Sequence, residues 1–551
     1  MRQQPPPGTM PTDAALSTLD REAALGRLDA SVFDCVVIGG GITGAGVARA
    51  AAIRGLSAAL LETDDFAAGT SSRSSKLIHG GLRYLAQGDV ALVRETALER
   101  KRLHALAPHL AEPCWMLVPA RSRAGLLKFR AGIGTYEALG AVDEADRHRN
   151  WGADELERGE PLLRRDRTPF ACLYREYLTE DARLVLANLR DAKRRGAEAL
   201  AHLKVVAIVR EAGRAAGVVA RCGLTGREIR VRARCVVNAA GPWVEAVRRL
   251  EDAAAPSLLH LSKGVHVVLP AQRLPIRHIV VLPAPDRRSI FAVPRGDVVY
   301  VGTTDTSYTG ATEIWPAITR ADVAYLLEPI ARAFDVAPVR PEECVAAWGG
   351  LRPLIAQPGK PPTEISRRDE VWVGPAGVVT IAGGKLTGYR KMAESVVERV
   401  AEILGTTLRA PGPEDPLPGG DLTGGLDALA AALARGFSLS ALAASRLARL
   451  YGSEAESVAK AGPAPILPGG RVIEGEVAWA IGEEGAATVS DVLYRRTRAA
   501  LYEPEERAAL VRPVAERMAA RLGWSEGRLW EEIATTMSAL TRDLAFRAES
   551  A

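Results

Sequence analysis

Cysteine is scarce in this 551-residue chain: there are six, at Cys35, Cys114, Cys172, Cys222, Cys235 and Cys344. No two stand in a C-x-x-C arrangement and no histidine cluster accompanies them. That argues against structural zinc, a cysteine-ligated iron–sulfur cluster and a secreted disulfide framework, and no metal is expected. A reducing, cytoplasmic compartment fits best. Long apolar runs are missing too, since none reaches the roughly 18 residues needed to cross a bilayer. The first thirty residues lack the apolar core of a signal peptide. An excess of one charge is also lacking. A formal net charge of +5 over this length does not argue for nucleic acid, although a weakly basic surface suits an anionic membrane or substrate. No internal repeat is visible.

What remains is ordinary globular composition, 47% hydrophobic and 25% charged, in a chain long enough for two or three domains. Phe33 to Gly46, "FDCVVIGGGITGAG", is a β-branched run followed by glycines. Val47 to Arg54 is Ala-rich and helix-prone, and Leu56 to Glu62 is a second apolar run ending in an acid. This is a β–α–β unit. Gly39-x-Gly41-x-x-Gly44 supplies the tight turn, the close backbone approach to a pyrophosphate and the close helix–strand packing of a dinucleotide site. Glu62 stands where a ribose-binding acid belongs.

"SSRSSKLIHGGLRYL", Ser71 to Leu85, then separates FAD from NAD. Its serines can donate to phosphate or ribose oxygens, and Gly80 and Gly81 leave room for a flat ring system. "IAGGKLTGYRKMAE", Ile381 to Glu394, is a second helix start, where Gly383, Gly384 and Lys385 could stabilise negative charge on reduced flavin. Between these segments lie alternating strands such as "GVHVVLP" and "VVYVGTTDT". A Pro/Gly-rich stretch follows Leu408, and beyond it the chain is Ala/Leu/Arg/Glu-rich with helical periodicity.

The expected organisation follows. Residues 1–30 form a disordered leader and a short helix. Residues 31–100, 181–255 and 366–408 form a discontinuous FAD-binding domain, with a substrate-binding domain in 101–180 and 256–365. Residues 409–424 are a linker and 425–551 a separate helical C-terminal domain.

The set "VIGGGITGAGVARAAAIRGL", "SSKLIHGGLRYL", "VVNAAGPWVEAV", "SKGVHVVLP", "VGTTDT", "GGLRPLI" and "IAGGKLTGYRKMAE" resembles the FAD-dependent glycerol-3-phosphate dehydrogenases. The motifs run in family order from about residue 30 to 405. With no cysteine after Cys344, the chain resembles the aerobic, single-subunit type. The resemblance implies an α/β fold, with a Rossmann-like FAD-binding domain of the glutathione-reductase/amino-acid-oxidase type, an interleaved α+β substrate domain and an all-α C-terminal domain. It implies FAD held by Gly39, Gly41, Gly44 and Glu62, by Thr70, Ser71, Ser74, Ser75, His79, Gly80 and Gly81, by Val205 and Gly241, and by Gly384, Lys385, Leu386 and Thr387.

The implied reaction oxidises glycerol 3-phosphate to dihydroxyacetone phosphate and passes electrons to a quinone. Arg83, His266, Arg352 and Arg367 are the substrate-binding candidates, since a planar arginine fork suits phosphate. His266 is the expected base, Arg352 the group polarising the C2 oxygen, and Lys385 the third catalytic candidate. Arg368 competes with Arg367 for the phosphate, and Thr303, Thr304 and Asp305 are left outside the catalytic set. Two alternatives stand beside this reading: an oxidase that reduces oxygen to peroxide, and a non-catalytic flavin-binding scaffold. A homodimer is allowed for. The expected location is the inner face of the cell membrane, with peripheral contact to anionic lipid through the basic amphipathic segment Arg121 to Gly140, inserting Leu126, Leu127 and Phe129.

Overall fold

The computed structural model describes residues 14–80, 89–284, 286, 288–356 and 369–549. In chain order its early strands are β1 (Val32–Ile38), β2 (Ala58–Leu61), β3 (Leu77–Ile78), β4 (Ala111–Ala120), β5 (Arg149–Trp151) and β6 (Phe170–Thr179). Then come β7 (Glu198–Leu200), β8 (Leu203–Glu211), β9 (Arg214–Cys222), β10 (Glu228–Asn238), β11 (Leu259–Pro270) and β12 (Ile279–Pro283). The last are β13 (Ser289–Arg295), β14 (Val298–Gly302), β15 (Thr306–Ser307), β16 (Ala346–Ile355), β17 (Asp369–Val373) and β18 (Val379–Gly383).

Two sheets result. The first runs β17-β18-β10-β1-β2-β7, with the β8–β9 hairpin attached at β10. Its centre is parallel, β1 lying between β2 and β10. A central parallel strand is covered on both faces, which is why β1 reads as an almost continuous apolar run. The helix Ile42–Ile53 makes the β1-to-β2 crossover and packs on the helices Asp181–Arg194 and Tyr389–Leu404. Gly46 permits that packing, because a Cβ there would lie 2.8 Å from the Tyr389 ring. The second sheet runs β15-β11-β14-β13-β12-β4-β6-β3, with β16 on β11 and β5 on β6. Apart from the parallel β4–β12 pair, its pairings are antiparallel.

Several expectations about organisation change. β3 pairs with β6, so the chain already belongs to the second sheet by Leu77, not from residue 101. The helix Val90–Leu106 bridges the two, burying Val93 and Ala97 in one core and Leu103 and Leu106 in the other. Residues 409–424 are not a free linker: Leu417 is buried and its N–H donates to the Leu106 carbonyl at 2.8 Å, while Glu414 pairs with Arg390 and Arg49. The C-terminal region is all-helical; its first helices bury Leu433, Leu447, Tyr451 and Val458 in a core of their own, but its later helices do not bury their apolar faces by themselves. Val477, Leu493, Val514, Met518 and Leu540 share one core with Met116, Tyr174, Val268 and Trp348 of the second sheet. Residues 1–13 of the leader lie outside the described residues; just after them Leu16 is buried and the Thr18 N–H donates to Ile481 O at 2.9 Å.

The expected membrane segment is the helix Arg123–Leu139. Its apolar stripe faces inward. Ile133 and Tyr136 are fully buried, and Leu126 and Phe129 pack against the core, leaving Leu127 as the large apolar side chain exposed on it. Leu126 and Phe129, expected to insert, are half-buried against this core, which leaves Leu127 as the freely exposed one of the three.

Candidate active site

The glycine loop after β1 is tight because its carbonyls leave no room for side chains. Gly39 has φ +109°, and a Cβ there would meet Ala239 O at 2.7 Å. A Cβ on Gly44 would lie 1.9 Å from Gly39 O. Gly41 caps the helix Ile42–Ile53 without a capping side chain, and Ser71 Oγ accepts the Ile42 N–H at 2.9 Å. A helix N-terminus held open by glycine in this way suits the pyrophosphate of a dinucleotide. Glu62, at the end of β2, reaches back to the loop and accepts the Gly40 N–H at 2.6 Å and the Asp64 N–H at 2.9 Å. Desolvation lifts its carboxyl to about 7, against those two N–H bonds, which favour the anion. The Leu203 N–H donates to Glu62 O at 2.7 Å, bringing Val205 and the start of β8 to the same edge, while Gly241, φ +55°, follows β10. These residues fit FAD: the loop is a cradle that any Cβ would fill.

The segment Thr70–Gly80 then lies across the ten-stranded sheet. Thr70 Oγ1 donates to Leu351 O at 2.6 Å, Trp348 Nε1 to Ser74 O at 3.1 Å, and the Tyr300 hydroxyl to Ser75 O at 3.0 Å. The same face of the sheet presents His266 and Arg352. In the β11–β16 register His266 stands opposite Trp348 and Ser262 opposite Arg352. The period of two along a strand puts them on one side.

Each of these side chains occupies the space over a glycine. A Cβ on Gly302 would come 2.0 Å from the His266 ring, and one on Gly264 2.2 Å from the Arg352 guanidinium. His266 stacks on Trp348 with centroids 4.9 Å apart, and its Nε2 meets Ser75 Oγ at 2.9 Å. Burial, then the charges of Arg352 and Lys76, hold the imidazole well below its ordinary pKa, so it is neutral near pH 7. Arg352 donates to Thr304 O at 3.1 Å and Thr303 Oγ1 at 2.8 Å and lies 3.4 Å from Asp305.

That "TTD" turn stands outside the catalytic set expected from the sequence. Its role is to fix Arg352, and the signal was its place beside the strand that faces β11. Gly383 and Gly384, φ +80° and +76°, turn the chain into the second helix start. There Lys385 and Leu386 are half-buried, and Thr387 Oγ1 donates to His79 O at 3.3 Å. This joins the two segments that the sequence expects to face the flavin.

Gly80 brings a finding of its own. A Cβ there would lie 2.2 Å from the Tyr136 hydroxyl, which accepts the Gly80 N–H at 3.0 Å. That hydroxyl donates to Glu176 at 2.9 Å, and Arg100 lies 2.8 Å from the same carboxylate. Thr96 holds the Gly80 carbonyl at 2.7 Å. Tyr136, Glu176, Arg100 and Thr96 thus anchor the glycine, a network invisible in the sequence. Gly81, Arg83, Arg367 and Arg368 lie outside the described residues. Among the described residues one group, Asp65, His202 and Asp491, has the spacing of metal ligands, but Arg495 and Arg496 already supply its positive charge.

Residues 34–390 match the family described as FAD dependent oxidoreductase, and residues 414–529 match the C-terminal domain of alpha-glycerophosphate oxidase. The aerobic glycerol-3-phosphate dehydrogenase of Bacillus subtilis is 37% identical over 538 residues, covering 93% of this chain and 95% of its own. That of Staphylococcus haemolyticus is 40% identical over 458 residues, 81% of this chain and 82% of its own. The solved glycerol-3-phosphate dehydrogenase of Bacillus halodurans, complexed with FAD, superposes with a TM-score of 0.80 at 32% identity, covering 97% of this chain and all of that one.

Proposed function

The chain belongs to the FAD-dependent glycerol-3-phosphate dehydrogenases, and from that premise we propose that it oxidises the C2 alcohol of sn-glycerol 3-phosphate to dihydroxyacetone phosphate and delivers the electrons to a quinone. The observation that carries this reading is the pairing of a buried neutral histidine with a fixed arginine on the sheet face that meets the flavin loop. FAD, when bound, supplies the hydride acceptor. Gly39, Gly41, Gly44, Thr70, Ser71, Ser74 and Ser75 would hold it, with Lys385 and Thr387 at the second helix start.

His266 takes the alcohol proton. Burial keeps the ring in its neutral, accepting form but also makes it a weak base. Arg352 offsets that weakness by stabilising charge on the C2 oxygen, and it stays protonated throughout. Ser75 holds the ring at Nε2. Arg83 and Arg367 bind the phosphate. Arg367→Ala should raise KM far more than it lowers kcat, because that contact is remote from the reacting carbon. An unchanged KM would move the role to Arg368.

A lipid-soluble acceptor calls for peripheral attachment to the inner face of the membrane, and no helix of the described residues is long and apolar enough to cross one. Leu127, Arg123, Lys128 and Arg130 are exposed on the helix that follows β4, with Arg121 exposed just before it. The match of residues 414–529 to an oxidase domain favours a second reading, with oxygen as acceptor.

Anaerobic mixing with glycerol 3-phosphate should bleach the flavin, and glycerol should not. Re-oxidation by a soluble quinone faster than by oxygen supports the dehydrogenase. Stoichiometric peroxide supports the oxidase. A flavin that stays oxidised in both mixings overturns the substrate assignment.

A further inference from the structure

The flavin loop is held from below by the helical C-terminal region. Asp181, fully buried at the start of the helix Asp181–Arg194, is the hub. Its carboxylate accepts from Ser74 Oγ at 2.8 Å and from Lys76 Nζ at 3.2 Å, both in the loop. It also accepts from Arg498 Nη2 at 3.0 Å, across 317 residues of chain. Arg498 is itself 1% exposed and stands in the left-handed region at φ +60°, which a non-glycine residue keeps only when its surroundings demand it. It also forms an ion pair with Glu180 at 3.1 Å and donates to the Tyr494 carbonyl at 3.0 Å and, in the loop itself, to the Ser72 carbonyl at 3.5 Å.

The same region makes one further contact just before the loop and another indirectly, through Trp315. Asp65, just before it, is bonded by Arg495 and Arg496. Arg73 lies 3.6 Å over the Trp315 ring, which Arg542 also covers at 4.5 Å. The loop residues on either side of this buried anchor point the other way: Ser71 bonds the N-terminus of the pyrophosphate-facing helix and Ser75 bonds His266.

We propose that Arg498 is a positioning residue for the flavin site, acting through Asp181, so that the C-terminal helical domain sets the placement of Ser71 and Ser75. The inference rests on the reading of this site as an FAD site. Removing Arg498 leaves Asp181 with Lys76 as its remaining cationic partner among the described residues, and the Tyr494 carbonyl loses its bond from the guanidinium, while Glu180 keeps Arg295. The loop then shifts between its two functional serines. Arg498→Lys restores a charge to Asp181 but cannot reach Glu180 and the Tyr494 carbonyl at the same time.

The experiment compares the full-length holoenzyme with Arg498→Ala, Arg498→Lys and Met518→Ala. The last removes a fully buried apolar side chain of the same helical domain that makes no bond to the loop. The FAD dissociation constant is read by flavin fluorescence, the midpoint potential by equilibration with redox dyes, and stability by urea unfolding. Arg498→Ala should weaken FAD at least tenfold and move the visible flavin band and the potential, with Arg498→Lys intermediate. Met518→Ala should lose stability while its flavin spectrum and potential stay parental. Should the alanine variant prove insoluble, the lysine variant decides by the same readings. Parental FAD affinity, spectrum and potential in the soluble Arg498 variants would overturn the proposal, whatever their stability. Absence of FAD binding in the parent would instead overturn the FAD reading. A parent that binds FAD without being bleached by glycerol 3-phosphate would overturn the substrate assignment and leave the affinity comparison to judge Arg498.

Discussion

At Gly264 and Gly302 the missing side chain is the space that Arg352 and His266 occupy, and neither glycine has a positive φ. Alanine is therefore tolerable to the backbone at both positions, and its effect should fall on the neighbour. Gly264→Ala should push the Arg352 guanidinium off Thr303 and slow flavin reduction by a factor on the order of 10² with FAD still bound. Gly302→Ala should act on His266 in the same way, and more severely, because that ring is clamped between Trp348 and Ser75 and has nowhere to move. His266→Asn, which keeps a polar group but not the base, should slow reduction by about 10² or more as well. Rapid-mixing kinetics would check all three. Parental reduction in His266→Asn would remove the histidine as base.

Among the connecting elements, the turn between the helix Val90–Leu106 and β4 has a pH signature. His109 is buried there, in a space made by Gly419 and Gly452, where a Cβ would lie 2.8 and 2.9 Å from its ring. Burial, and then the nearby Arg183 charge, pushes its pKa down to about 3. The unfolded chain takes up this proton below about 6.5 and the folded chain does not. The contribution is therefore full above pH 6.5 and is lost as pH falls towards 3, by up to about 1.4 kcal/mol per pH unit. His109→Gln should flatten that part of the acid dependence in urea unfolding between pH 7 and 5. Parallel curves for the two proteins would show that the ring does not control it.

Over the whole molecule, the shared core between the second sheet and the helices after residue 460 means that neither part buries its apolar surface alone. A chain ending at Leu408 should be recovered as insoluble or molten protein. Proteolysis of the native chain in residues 409–424 should not release two stable halves, since Leu417 and Gly420 are packed against Leu106. A soluble, cooperatively unfolding fragment 1–408 would contradict the shared core.

The glycine loop, its helix and the acid after β2 were legible from the sequence because the signals are local: turn chemistry and helix starts depend on residues a few positions apart. The candidates His266, Arg352 and Lys385 were reached only with the help of motif resemblance, since a strand histidine looks the same whether it is core or base. Other features had no local signal. Thr303, Thr304 and Asp305 gain their role from standing beside Arg352, 47 to 49 residues on. Gly80 serves Tyr136, 56 residues away. The amphipathic helix Arg123–Leu139 carries a stripe that suits a membrane or a core equally well, and tertiary packing assigned Leu126, Phe129, Ile133 and Tyr136 to the core. Periodicity says that a face is apolar. What covers that face, and which buried charges meet beneath it, is decided only when distant segments close on one another, as Asp181 and Arg498 do.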